Sequence, residues 1–325
     1  MPWPERRCRA AGGGAPAVAV FVLFAACISR VQGQTQDEFA SCLARLQPAA
    51  QKAGVEAASF RRFTEGTQAD FTVLEKLDYQ PEFRLAIWDY LAGLVDDERV
   101  ADGQAMLAEH GAVLQRVAAA YGVDPATVVA VWGVESNYGR ITGKYPLVQA
   151  LGTLSCFGRR QSYFQGEFFA ALRILQRGDV APERLTGSWA GAFGHTQFMP
   201  ATYERLAVDF DGDGRRDLVD NSADALASTA NFLRRGGWQS GQPWGFEVRL
   251  PAAFDPELAG RRNKRPASDW AARGVVAVDG RTLANSGLAD GERTAILLPA
   301  GPRGPAFIVT RNFDVIYGYN AAESY

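Results

Sequence analysis

Glu135 closes an almost wholly apolar run, Asp124-Pro125-Ala126-Thr127-Val128-Val129-Ala130-Val131-Trp132-Gly133-Val134-Glu135, and is the residue best placed in the chain to do chemistry. Asp at the N-cap and Pro at the first helical position start a helix. Its apolar content implies burial on most sides. Burial disfavours the charged form of a carboxyl, and the negative end of the helix dipole pushes the same way. Such a group holds a proton near neutral pH and can donate it to a leaving oxygen, for instance that of a glycosidic bond. Ser136, Asn137 and Tyr138, ahead of Gly139, suggest that the helix opens into a cleft. The competing explanation is a glutamate satisfied by a buried arginine or a backbone amide.

A second constellation runs from Asp209 to Asp220, Asp-Phe-Asp-Gly-Asp-Gly-Arg-Arg-Asp-Leu-Val-Asp. It follows the EF-hand loop template: oxygen ligands Asp209, Asp211 and Asp213 at positions one, three and five, the turn glycine at six, and the carbonyl of Arg215 at seven. Asp220 stands at position twelve in place of the usual glutamate, with Asp224 on the following helix as an alternative closing ligand. Crowded carboxylates repel one another without a cation, so a structural Ca2+ is expected. A solvated acidic turn is the alternative.

Other chemistries find little support. The chain has only 2 histidines, His110 and His195, which rules out a multi-histidine zinc centre. There is no nucleophile-elbow motif for a serine triad and no phosphate-binding glycine loop. Gly236-Gly237 reads as a helix-ending turn before Trp238. A net charge of -2 with mixed signs provides no basic stripe, so nucleic acid is excluded as a partner.

The elements that must position these groups follow from periodicity in a 325-residue chain whose 47% apolar content suffices for a sizeable core. Helical spacing runs from Asp37 to about Leu107, with Phe39, Leu43 and Leu46 on one face and Ile87, Tyr90, Leu91 and Leu94 on another. One further helix is expected through Met106, Leu107, Val113, Leu114 and Val117, ending at Tyr121-Gly122. Others fall around Tyr163 to Gln176 and Asp224 to Arg235. After Trp244 come short β-like runs, Thr294 to Leu298, Ala306 to Thr310 and Val315 to Tyr317. The fold class expected is α+β, mainly helical, with a small annexed β-sheet.

At the N-terminus Arg6, Arg7 and Arg9 precede an apolar run, Ala15 to Ile28, shorter than the roughly 20 residues a membrane-spanning helix needs. Residues 1–33 are read as a signal peptide removed near Gln34, with an imperfect lipoprotein box at Cys27 as the alternative. Removal discards Cys8 and Cys27 and leaves Cys42 and Cys156 in an oxidising compartment, which suggests one disulfide. Two buried thiols are the alternative.

Two motifs, Val131-Trp132-Gly133-Val134-Glu135-Ser136-Asn137-Tyr138-Gly139 and Ser188-Trp189-Ala190-Gly191-Ala192-Phe193-Gly194-His195-Thr196-Gln197-Phe198-Met199-Pro200, resemble the B-type lytic murein transglycosylases of Gram-negative bacteria, glycoside hydrolase family 103. The resemblance covers roughly Phe39 to Tyr325. It implies a lysozyme-like helical core, a periplasmic location and cleavage of the β-1,4 bond between N-acetylmuramic acid and N-acetylglucosamine. The muramyl 6-hydroxyl serves as nucleophile and leaves a 1,6-anhydro end. Glu135 then acts alone as acid and base. A hydrolase usually pairs its acid with a second carboxylate, and none lies near Glu135 in sequence, although Glu167 stands as a remote candidate.

By the same resemblance Gln197 contacts sugar near the scissile bond and Ser188 bonds to Glu135. Phe198 and Met199 line the cleft, with core packing as their alternative. Arg159 and Arg160 meet carboxylates of lactyl groups or stem peptides, unless they are a merely solvated pair. Tyr319, Asn320 and Tyr325 occupy aromatic and amide positions, and His195 is a cleft-wall residue. Phe232 stands where tyrosine is often found, and the chain stops at Tyr325 where relatives usually continue, which suggests a clipped end. The resemblance also implies a structural calcium and no catalytic cofactor. The organisation expected is a signal peptide (1–33), a helical support region (34–110), a lysozyme-like core with the EF-hand-like loop (111–250), and a small β-containing region completing the cleft (251–325). Partners expected are peptidoglycan glycan strands and other cell-wall enzymes, with membrane attachment only through Cys27 and a monomeric state. The rival readings are a hydrolytic muramidase and a non-catalytic peptidoglycan-binding scaffold.

Overall fold

The computed structural model describes residues 17–78, 86–289 and 291–325. The export signals at Arg6, Arg7 and Arg9 lie outside the described residues, as does the Cys27 side chain. The apolar spacing at Phe39, Leu43, Leu46 and Ala50 becomes the buried face of α1 (Ala17–Lys52). The short helices α2 (Ala57–Thr64), α3 (Thr72–Glu75) and α4 (Ile87–Leu94) follow. Next come α5 (Asp97–Glu109), α6 (Gly111–Tyr121) and α7 (Pro125–Ser136). The single helix expected through Met106 to Val117 is therefore two, which break at His110. The His110 ring packs edge-on against Trp132 at 5.3 Å, and Gly111 next to it weakens helical continuity.

Helices α8 (Leu147–Phe157) and α9 (Gln161–Arg177) pair closely, and with α1, α2 and α10 (Pro200–Leu206) they enclose the largest core, which includes Phe39, Leu151, Phe168 and Tyr203. A second core forms where α6, α7, α11 (Ser222–Arg235) and the C-terminal helix meet, around Leu114, Val128, Trp132, Leu226 and Leu233. The two-residue strands β1 (Tyr145–Pro146) and β2 (Thr186–Gly187) pair antiparallel and bring the segment before α8 against the one after α9.

The chain ends in a five-stranded antiparallel sheet, β3 (Gly245–Arg249), β4 (Arg265–Pro266), β5 (Val276–Ala277), β6 (Arg293–Leu297) and β7 (Ala306–Val309), in the order β4-β6-β7-β3-β5. Helix α12 (Ala267–Ala272) plugs its Trp270 into the sheet's own core. The strand expected at Val315 to Tyr317 is instead part of α13 (Arg311–Tyr319). Thr310 caps this helix by accepting from Asn312 N, and Asn312, Val315 and Tyr319 then fall on one face toward the second core. Local β-propensity yields there to the cap and to a period of three to four. The protein is thus mainly helical with a small annexed sheet.

Cys42 on α1 and Cys156 at the end of α8 are joined in a disulfide with Cα atoms 6.0 Å apart. It spans 114 residues. Closing a loop of that size removes conformational entropy from the unfolded chain worth about 4–5 kcal/mol. Reduction is expected to lower the melting temperature markedly, and the double substitution Cys42→Ser with Cys156→Ser should melt with the reduced protein. A melting curve unmoved by reductant would contradict this.

Candidate active site

Helix α7 carries Glu135 on its last turn. Asp124 accepts from Thr127 N at 2.8 Å as the N-cap, Pro125 opens the helix, and Val128, Val129, Val131 and Trp132 are buried. The helix stops at Asn137, whose backbone is left-handed (φ 48°). At that stop Trp132 and Ser136 fasten it to the segment before α10, and Ser136 also holds the turn that follows. The Trp132 indole donates to His195 Nδ1 at 3.1 Å and lies stacked on the ring, the Ser136 hydroxyl donates to His195 O at 2.7 Å, and Gly139 N donates to the Ser136 hydroxyl at 3.0 Å. Gly139 is required here, because a Cβ would lie 2.4 Å from the His195 ring. Burial lowers the His195 pKa, and with Nδ1 accepting from Trp132 the imidazole works as a neutral tie between two segments.

The Glu135 carboxyl is pushed up to about 7, first by burial, with a hydrogen bond from Tyr325 acting in the opposite direction. That bond, from the Tyr325 hydroxyl to Glu135 Oε1, is 2.7 Å long. Tyr325 in turn stacks on Tyr319 with ring centroids 6.4 Å apart and planes at 7°, and the Tyr319 hydroxyl donates to Thr196 O at 2.8 Å. Tyr319 rests on Phe232 and Phe198, at 4.5 Å and 5.8 Å. Phe198 is only 2% exposed, so it belongs to the core and holds up the tyrosine stack; it does not line the cleft. Phe232, where tyrosine was the family expectation, supports the same stack with its ring tilted 53° to that of Tyr319.

The bond to Glu135 expected from Ser188 is absent: the Ser188 hydroxyl accepts from Ala192 N at 3.0 Å and shapes its own turn, while Tyr325 bonds the carboxyl. Gln197, itself left-handed (φ 50°), gives its amide hydrogens to Thr142 O and Gly194 O, at 3.0 Å and 2.9 Å. Its Oε1 has no partner among the described residues and stays available as an acceptor. Met199 caps α10 and is partly exposed. Asn320 is exposed at the end of α13. Arg159 and Arg160 lie exposed between α8 and α9, where Arg159 donates to Leu77 O and the Arg160 guanidinium sits 4.3 Å over the Tyr163 ring. Glu167, the remote second carboxylate, is buried in α9 and accepts from Ala201 N at 2.8 Å, which commits it to the first turn of α10.

Tyr90 on α4 is a further member of the site that periodicity had assigned only to a supporting face. Burial, then Glu135 and Tyr319, raise the Tyr325 hydroxyl's pKa, and Tyr90 lies near enough to add to the same shift. Tyr325, which bonds the carboxyl, also lines a groove of about 370 Å³ together with Val131, Val134, Trp88, Trp244 and Phe307. A protonated acid at the edge of an aromatic groove can transfer a proton to a ligand oxygen and take one back.

In the acidic loop, carboxylate oxygens of Asp209, Asp211 and Asp213 lie within 4.8 Å of one another. Asp209 accepts from Gly212 N and Gly214 N, at 2.7 Å and 2.8 Å, which curls the loop around it. The closing positions differ from expectation. Asp220 is ion-paired with Arg184, and buried Asp224 accepts from Phe210 N and Asp217 N, at 2.7 Å and 2.8 Å, tying both arms of the loop to α11. The Arg215 side chain reaches Asp179 O at 3.1 Å.

A helical body whose apolar helix presents a proton-holding glutamate, with a small sheet annexed, is the lysozyme-like architecture of the lytic transglycosylases. SltB3 from Pseudomonas aeruginosa, solved in complex with NAG-anhNAM-pentapeptide, superposes with a TM-score of 0.85 and 47% identity, over 88% of this chain and 76% of that one. The lytic transglycosylase SLT35 of Escherichia coli, in complex with calcium, superposes with a TM-score of 0.73 and 29% identity, over 88% of each chain. The membrane-bound lytic murein transglycosylase B of Escherichia coli (strain K12) is 39% identical over 188 residues, 58% of this chain and 51% of that protein, so the match spans about half of that relative's length. The transglycosylase SLT domain model matches residues 38–325, and the chain belongs to that family.

Because the folded pKa of Glu135 lies above the ordinary value of 4.5, the stability linked to its proton is fully present below that value and is lost as pH rises through about 7. Glu135→Gln keeps an acceptor for Tyr325 and cannot ionise. Its melting temperature should exceed the wild type's at pH 8 and match it near pH 4. An equal gap at both pH values would contradict the raised pKa.

Proposed function

We propose that this protein is an exported, periplasmic lytic transglycosylase that cleaves the MurNAc-β-1,4-GlcNAc bond of peptidoglycan without water. The observation that carries this reading is a single carboxyl, its pKa raised by burial to about 7, bonded among the described residues to Tyr325, which lines an apolar groove. Among the described residues no second carboxylate contributes to its shift, and Glu167 is committed to α10. Sugar faces lie on the groove's aromatic walls while the Gln197 Oε1 accepts from a sugar hydroxyl or amide.

Glu135 gives its proton to the bridging oxygen as the bond from that oxygen to the muramyl C1 breaks. The resulting carboxylate, steadied by the Tyr325 hydroxyl, takes the proton of the muramyl 6-hydroxyl as that oxygen bonds to C1. The acid is regenerated, no water is consumed, and one group serves both half-steps because the nucleophile comes from the substrate. A hydrolase would need a second carboxylate, or a water held in its place, on the far side of the ring.

Calcium suits the loop at residues 209–220: its donors are hard oxygens, and the Asp209, Asp211 and Asp213 carboxylates already converge. With the Arg215 carbonyl they form the expected binding set, while Asp220 and Asp224 serve the loop's closure. The ion's contribution is to neutralise the converging charge and so to stabilise the turn before α11.

Digestion of murein sacculi tests the reaction. Products should be lighter by one water than those of a muramidase, and Glu135→Gln should lower turnover about 10²–10⁴-fold while the fold is kept. Products carrying a reducing muramyl end would overturn the transglycosylase reading. For the loop, a chelator should lower the melting temperature by several degrees, and Asp209→Asn should abolish that response. A curve indifferent to chelator would remove the calcium site.

A further inference from the structure

A second cavity, of about 500 Å³, lies along the β4 edge of the sheet and shares no residue with the groove beside Glu135. Its walls carry four cations, Arg262, Lys264, Arg265 and Arg293, and two acids, Glu257 and Asp269. Lys264 is spoken for: its Nζ meets Asp314 at 2.8 Å and Thr310 O at 3.2 Å. The three arginines are different. Arg293 donates to Lys264 O at 2.7 Å, Arg265 lies 5.7 Å over the Trp270 ring, and among the described residues none of the three has a carboxylate partner. Several arginines elsewhere in the chain do pair with acids, as in Arg140 with Asp102, Arg173 with Glu204, Arg184 with Asp220 and Arg216 with Asp179. Guanidinium forks left without acids in a concave site on a chain of net charge -2 form a receptor for carboxylates.

The two acids in the same walls narrow the ligand class. A purely anionic ligand such as a phosphate polymer would leave Glu257 and Asp269 unmatched. A ligand that carries several carboxylates together with an amino group complements both signs. We propose that this cavity takes the peptide borne by murein glycan, with carboxylates on Arg262, Arg265 and Arg293 and an amino group on Glu257 and Asp269. The proposal rests on the murein reading of the Glu135 site and adds a second point of contact to it.

The cavity's floor is tied to the segment that completes the catalytic site. Arg261, next to Arg262 in the chain, pairs with Asp314 at 3.1 Å and Glu323 at 3.6 Å and lies 3.7 Å over the Tyr317 ring. Lys264 pairs with the same Asp314. Both thus brace α13 and the tail that ends in Tyr325, the residue bonded to Glu135. Peptide recognition and acid catalysis therefore share one rigid support.

Calorimetric titration of the full chain with peptide released from murein by an amidase tests this, with inorganic pyrophosphate as the comparison anion. Saturable peptide binding is expected, weakening as salt rises, and about tenfold weaker in the double variant Arg262→Gln with Arg293→Gln, whose positions are exposed. No saturable binding to the wild type, binding unchanged in the variant and insensitive to salt, or tighter binding of pyrophosphate than of peptide would each overturn the proposal. Salt-sensitive, arginine-dependent peptide binding in a chain that cuts no murein would support the cavity and overturn the cleavage reading instead.

Discussion

The structure depends on keeping one carboxyl largely out of water while giving it, among the described residues, a single hydrogen-bond donor. Burial at the end of α7 holds the Glu135 proton up to about pH 7, and the Tyr325 hydroxyl, 2.7 Å away, limits the shift and fixes the orientation of the acid. Those opposed effects place the group where it can serve as donor and acceptor in successive half-steps. Either alone fails: an exposed glutamate would be ionised at neutral pH, and a buried one without a donor would hold its proton too firmly to act as a base.

Much of the remaining architecture keeps that balance in place. The apolar helix that buries Glu135 cannot shift, because Trp132 and Ser136 are fastened to His195 and the next loop is fastened through Gln197 to Thr142. Tyr325 is held from the other side by its stack on Tyr319, which rests on Phe198 and Phe232. The acidic loop sits between these supports, since His195 N donates to Leu218 O at 2.8 Å and Asp224 secures both arms. A disturbance of the loop thus reaches His195 through one hydrogen bond.

The parts legible in the sequence were those set by local physics. An Asp-Pro start, an unbroken apolar run and a terminal acid specify α7 and the raised pKa of Glu135 without reference to the rest of the chain. The face at Phe39, Leu43 and Leu46 declared itself by spacing alone. Illegible parts needed a distant partner. Tyr325 is 190 residues from the carboxyl it bonds, so it was recognisable as a cleft aromatic but not as the donor, a role the family resemblance had given to Ser188. Asp220 fits the loop template by position, yet Arg184 from another segment claims it. Val315 to Tyr317 reads as a strand from its side chains, and only the Thr310 cap and the waiting core turn it into a helix.

The central claim is tested most directly by following the Glu135 side-chain carboxyl through a pH titration by carbon NMR, with Glu135→Gln used to assign the resonance. A midpoint of about 7 is predicted. A midpoint at the ordinary glutamate value near 4.5 would show that the carboxyl faces water in solution and would contradict the account.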